Sequence, residues 1–187
     1  KLGAGALTLE EKNTFTKLIP LFVVATKQHL RNQDLKEEVS AGHDLEGLDL
    51  SGHQPLRIIQ LLRVEIEKLL HKETIHKESW LALTRDLDSL INSLGVCERI
   101  KNTPIPFSYS LFIKKFIFIY VVTMPLAFVP LFGYLSVFIS TFVFYALVSM
   151  ELLAEEIEDP FGSDQNDLPT DQLCLTIQNN CQQIFGA

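Results

Sequence analysis

The sequence predicts an all-α membrane protein, with two transmembrane helices in this segment plus a helical cytoplasmic region. Three observations carry that prediction. From Phe116 to Met150 there are 35 residues without Asp, Glu, Lys or Arg, and 27 of them are apolar. All 39 charged side chains, 16 basic and 23 acidic, therefore fall in the other 152 residues and give a net charge of −7. In those polar stretches apolar residues recur at three- and four-residue spacing, the period of amphipathic helices. The expected organisation is a cytoplasmic helical region over 1–106 with a loop at 32–55, a transmembrane pair over 107–152, and an acidic turn with a closing cytoplasmic helix over 153–187.

The first helix is announced by Thr8-Leu9-Glu10-Glu11, a capping box in which Thr8 accepts from the third helical amide and Glu11 reaches back. Phe15, Leu18, Phe22, Ala25 and His29 then form one stripe to about Arg31, with Pro20 inside it as an expected kink. Asn32–Pro55 is rich in Gly, Asp and His and reads mostly as loop, with one helical turn near Asp34–Val39. Leu56–His71 is a second helix, its face made by Ile59, Leu62, Ile66, Leu69 and Leu70. His76–Leu94 is a third, with Trp80, Leu83, Leu87, Leu90 and Leu94 on one side and Gly95 as the expected stop. Val96–Tyr109 is expected to be extended and stiff around Pro104-Ile105-Pro106, because each proline fixes its own φ and restricts the residue before it.

The apolar run is too long for one crossing. As a single helix it would span about 52 Å at ~1.5 Å per residue, against a hydrocarbon core of ~30 Å. Pro125, Pro130 and Gly133 mark a reversal, so two spans are expected, roughly Ser108–Val129 and Phe132–Leu152. Lys114 and Lys115 are placed to snorkel, Tyr109 and Tyr120 to anchor the first span, and Tyr134 to sit near the turn. Arg99, Lys101, Lys114 and Lys115 put the open end of the pair on the cytoplasmic side. The competing explanation, a hairpin buried in a soluble protein, is disfavoured because the rest of the chain has too little apolar surface to wrap two such helices. A last amphipathic helix over Thr170–Phe185 presents Leu173, Ile177, Cys181 and Ile184.

Several chemistries have no support in the residues. An acidic balance without a basic cluster excludes nucleic acid as a partner. Three cysteines are too few for a disulfide scaffold and fit a reducing compartment; Cys174 and Cys181 lie about 10.5 Å apart along one helix, too far to pair. His71 and His76 are five residues apart rather than four, and His43 and His53 sit in a polar loop, so all are expected to be solvated. No phosphate loop or nucleophile motif is present, and no enzyme is expected. Glu155–Asp167 is the candidate for ion chemistry, with Gly162 supplying the turn. A solvated acidic helix end is the preferred description there, with Asp164 and Asp167 capping the closing helix and accepting amides around Gly162. Lys1 is not a methionine and Lys1–Ala6 lacks the regions of a signal peptide, so the chain is expected to be the later part of a longer one.

Three stretches carry a resemblance. Cys97-Glu98-Arg99-Ile100-Lys101-Asn102-Thr103-Pro104-Ile105-Pro106-Phe107-Ser108-Tyr109 resembles the segment leading into the third membrane helix of bacterial bestrophins. Glu155-Glu156-Ile157-Glu158-Asp159-Pro160-Phe161-Gly162, followed by Asn166-Asp167-Leu168-Pro169, is similar to the signature after their fourth membrane helix, and Leu173-Cys174-Leu175-Thr176-Ile177 continues it. The family's first two membrane helices, with the Arg-Phe-Pro motif and the apolar neck, have no counterpart here.

The resemblance implies a homopentameric channel in the cell membrane that passively conducts small monovalent ions, of the chloride channel class, with cation selectivity left open. Its partners would be the lipid membrane, four copies of itself and the ions. It further implies a narrow apolar cytoplasmic aperture at Ile105, flanked by Pro104 and Pro106. The stiffness of that segment agrees, since a hydrophobic constriction needs an apolar side chain held in a ring. No resident cofactor is expected. Glu156, Asp159, Asp164 and Asp167 align with the calcium clasp of animal members, but Ser163, Gln165 and Asn166 stand where acids are usual, so a weak metal site at most is expected there. The alternatives are a non-conducting membrane-anchored helical scaffold and, more remotely, a soluble metal-dependent enzyme.

Overall fold

A computed structural model describes residues 7–33, 35, 52–103, 106–164 and 166–186. Among the described residues the structure is helical with no strand, and it divides into two compact units: residues 1–100 with 169–187, and residues 101–168.

The first unit is organised by α1, Leu9–Leu30. Its start is the expected capping box: the Glu11 amide donates to Thr8 Oγ1 at 3.4 Å and the Thr8 amide donates to Glu11 Oε2 at 3.0 Å. Lys72 Nζ adds a 2.8 Å ion pair to the same Glu11 carboxylate. The helix continues through Pro20, which is buried. It ends in a Schellman motif: Asn32 takes a left-handed φ of +55°, and the Gln33 amide donates back to the Gln28 carbonyl at 2.9 Å. Helix α2, Gln54–His71, closes in the same way with Glu73 at φ +55° and the Thr74 amide on the Leu69 carbonyl.

Phe15, Leu18, Leu21, Phe22 and Ala25 of α1 meet Ile58, Ile59, Leu62, Ile66 and Leu69 of α2 in one apolar core, joined by Leu87 and, in part, Trp80, Leu83 and Ile91 of α3, Lys77–Asn102. The final helix, α6 (Thr170–Phe185), packs against α1, where the Phe15 and Phe185 rings lie 6.3 Å apart. Two details differ from the sequence expectation. Gly95 does not stop α3, which runs on to Asn102. A glycine in a helix interior costs only ~1 kcal/mol relative to alanine, and buried Leu94 with the contacts of Glu98 offsets it. The segment expected to be extended from Val96 is thus helical until Asn102. The buried face of α6 is Thr170, Cys174, Cys181 and Phe185, whereas Leu173 and Ile184 are exposed. The large Phe185 ring and the two small thiols fit against α1, and that choice rotates the helix away from the plain leucine stripe.

The second unit is an antiparallel pair, α4 (Phe107–Phe132) and α5 (Leu135–Glu158), followed by the acidic turn. The reversal is made by Gly133 at φ +52°, a value that favours glycine, and the Ser136 hydroxyl closes it by donating to the Gly133 carbonyl at 2.6 Å. Pro125 and Pro130 lie within α4 rather than in the turn. The helices meet through small side chains: Ser136 and Ser140 are buried, as is Met124. Lys114 pairs with Glu151, at 3.2 Å, and with Glu155 across the pair. Large apolar side chains face away from it, with Phe107, Phe118, Leu126, Leu131, Phe138 and Phe142 all well exposed.

Two ion pairs on one carboxylate tie α6 to α1. Buried Lys27 Nζ donates to Asp171 Oδ1 at 2.8 Å and Arg31 Nη1 to Oδ2 at 3.0 Å, while the carboxylate itself stays mostly exposed. The Lys27 ammonium, with a smaller contribution from Arg31, holds the Asp171 carboxyl below its usual range against a modest upward push from burial. A depressed carboxyl pKa stabilises the fold above about pH 4, where the unfolded group is ionised, and that stabilisation is lost as pH falls through the folded value. Asp171→Asn is expected to cost about 1–2 kcal/mol near neutral pH, the lower part of the range for bonds to charged groups because solvent screens the exposed partner. Thermal unfolding at pH 7 and pH 3 checks it: the gap between wild type and variant should shrink at the lower pH.

Candidate functional site

Three groups of residues could carry function: the Pro-Ile-Pro segment, the acidic turn, and a histidine cluster that assembles only in three dimensions. Of the first, Pro104 and Ile105 lie outside the described residues, as do Gln165 of the turn and, apart from helical, buried Leu35, the stretch expected to hold a helical turn near Asp34–Val39. Pro106 is described and stands at the N-cap of α4, where its carbonyl accepts from the Tyr109 amide at 2.8 Å. Helix α3 therefore ends at Asn102 and α4 starts at Phe107, which leaves four residues for the connection that carries Ile105.

In the acidic turn the carboxylates serve the backbone. Asp167 Oδ2 accepts the Asp164 amide at 2.6 Å, and the Asp167 amide returns a bond to the Asp164 carbonyl at 3.1 Å. The Leu168 amide reaches the Pro160 carbonyl at 3.0 Å, and the Gly162 amide reaches that of Asp159 at 3.3 Å. Glu156 Oε2 accepts from the Asn166 side-chain amide at 2.7 Å. Gly162 is packed so closely that a Cβ there would lie 2.6 Å from Asp167 Oδ2. Phe161, next to it in sequence, is buried. The expectation that Asp164 and Asp167 cap the closing helix is corrected: α6 begins at Thr170 with Pro169 at the N-cap and no side-chain cap, because the Asp167 carboxylate is spent inside the turn. Among the described residues, no three of Glu156, Asp159, Asp164 and Asp167 bring their oxygens together as a ligand group.

The cluster the sequence did not reveal is His29, His53 and Glu98. His29 Nε2 lies 2.8 Å and His53 Nε2 2.7 Å from the same oxygen, Glu98 Oε1. The two imidazoles face each other with centroids 4.3 Å apart at 46°. His29 belongs to the last turn of α1, His53 is the N-cap of α2, and Glu98 sits in the C-terminal part of α3. Partial burial pushes the Glu98 carboxyl up, but hydrogen bonds and charge from His53 and His29 outweigh it and hold it below its usual range. His53, expected to be solvated, is instead a member of this group. The signal was invisible in one dimension because 24 residues separate the first pair and 45 the second.

A family model described as bacterial/fungal bestrophin protein matches residues 5–183. A voltage-dependent anion channel-forming protein of Synechocystis is 33% identical over 182 residues, covering 94% of this chain and 58% of the relative. A protein of the same description from Salmonella typhi is 31% identical over 173 residues, 91% of this chain and 57% of the relative. A solved bacterial bestrophin homolog from Klebsiella pneumoniae matches with a TM-score of 0.88 at 30% identity, over 95% of this chain and 67% of that one. The chain spans just under three fifths of the length of these curated relatives. With its all-helical architecture and its pair of long apolar helices, this chain belongs to the bacterial and fungal bestrophin family.

Proposed function

We propose that this chain is the later part of a homopentameric channel subunit that passively conducts small monovalent anions through the cell membrane, without chemistry and without a cofactor. The observation that carries it is the α4–α5 pair, whose large apolar side chains face outward along both helices. In hydrocarbon that surface is at no disadvantage, and each helix satisfies its own backbone apart from the carbonyls freed by Pro125 and Pro130. The names of the relatives, voltage-dependent anion channel-forming proteins, support the choice of anions. In this proposal both ends of the pair are cytoplasmic, with Gly133 and Tyr134 at the opposite face. Ile105, in the four-residue connection before α4, forms the apolar ring that narrows the cytoplasmic exit; such a ring passes ions only when it is wide enough to stay wetted.

The acidic turn is structural first in this proposal. Its carboxylates already accept backbone and side-chain N–H groups, and a calcium shell needs six to eight oxygens, the usual number.

Reconstituted full-length protein tests conduction: a reversal potential that follows the chloride gradient is expected, and a silent bilayer with verified pentamers would favour the scaffold alternative. Ile105→Ala should raise single-channel conductance or change ion preference, and identical currents would remove Ile105 from the aperture. For topology, Tyr134→Cys is expected to label only from the extracytoplasmic side in oriented vesicles. In the turn, Asp167→Ala should cost about 1 kcal/mol through the lost hydrogen bond. Gly162→Ala must displace the same carboxylate, so the double variant should be less destabilised than the sum of the two, which a thermal-unfolding cycle measures.

A further inference from the structure

We propose that His29, His53 and Glu98 form a binding site for one divalent transition-metal ion of the zinc class, clamping three helices of the first unit. The site is independent of the conduction proposal. Two imidazole nitrogens and one carboxylate oxygen converge from three separate elements, the end of α1, the start of α2 and the C-terminal part of α3, and all three donor atoms lie within 4.8 Å of one another. Two nitrogen donors select against calcium and magnesium, which take oxygen shells, and favour zinc, copper or nickel. Two histidines and one glutamate leave the fourth tetrahedral position to water.

Two of the three donor separations are already close to those of a loaded site. With metal–ligand bonds of about 2.0–2.1 Å, tetrahedral donors stand about 3.3 Å apart. Here each Nε2 is 2.7–2.8 Å from Glu98 Oε1, so these two nitrogen–oxygen separations need open by only about half an ångström to admit an ion, and the two histidine donors lie within 4.8 Å of each other. In the metal-free form each imidazole donates its Nε2 proton to the one carboxylate oxygen. Binding replaces those two N–H donors by two nitrogen lone pairs on the ion, and the protons move to the Nδ1 positions. His53 Nδ1 is buried and has no hydrogen-bond partner among the described residues, so it is unpaired in either tautomer and nothing at that nitrogen fixes which one carries the proton.

The experiment uses the tag-free, full-length protein in detergent, stripped with a chelator and titrated with Zn2+ by calorimetry and with Co2+ by visible absorption. One Zn2+ per chain at micromolar affinity or tighter is expected, together with a raised Tm and the intense visible bands of four-coordinate Co2+. Glu98→Gln preserves size and some hydrogen bonding, and it should weaken Zn2+ by more than about 100-fold, as should His53→Ala. His29→Gln provides a third variant if one of these fails to fold, circular dichroism being the check. Failure of the stripped wild type to take up Zn2+, or equal affinity in wild type and folded Glu98→Gln, would overturn the site. Ion currents do not enter the readout, so its failure leaves the channel proposal standing and the reverse also holds.

Discussion

The constraint on which the rest depends is that α4 and α5 cannot cover themselves. Two antiparallel helices share one narrow contact, here Met124, Ser136 and Ser140, and every other side of each must face something else. Water is a poor candidate for Phe118, Leu126, Leu131 and Phe138, whose exposure would cost roughly 1.5–3 kcal/mol apiece by the usual transfer scale. Hydrocarbon or neighbouring protein removes that cost without requiring any new backbone partner. The small residues at the contact follow from the same physics. Between helices in lipid there is little hydrophobic gain, so close approach and packing supply the attraction, and serine permits both.

The first unit obeys the opposite logic. Its buried apolar residues gather in one core, with α1 in the middle between α2 and α6. Its polar residues do the fastening at the margins. Lys27 and Arg31 hold Asp171 at the start of α6, where a carboxylate also complements the helix dipole, and Lys72 holds Glu11 in the capping box. Because α6 is remote in sequence from α1, such pairs close a long loop of chain that contains the whole apolar pair. The fold thus brings the two ends of this segment together in one unit while the middle forms another.

The acidic turn shows how carboxylates that are neighbours in sequence are taken up by the backbone around them. Counted in sequence it is a row of carboxylates suited to a hard cation. In the fold, Asp167 is committed to the Asp164 amide and pressed against Gly162, and Glu156 is engaged by Asn166. The histidine cluster is the converse: residues that look solvated one at a time become a converging set once three helix ends meet.

The helices themselves were legible because their signals are local. The Thr8–Glu11 box, the 3.6-residue stripe from Phe15 to Ala25, and the uncharged run with glycine near its middle each state their structure within a few turns, and all appear where expected. The motif stretches at Cys97–Tyr109 and Glu155–Pro169 were likewise enough to indicate the family. What only the tertiary structure decided depends on partners far along the chain. Gly95 stays helical because Leu94 and Glu98 on either side of it are held by distant contacts, α6 turns Cys174 and Phe185 inward because α1 offers a matching surface, and His53 finds His29 and Glu98. Propensity and periodicity describe a residue's neighbours within one helix; which face is buried, and which side chains meet across helices, is settled by the shape of the surface that packs against it.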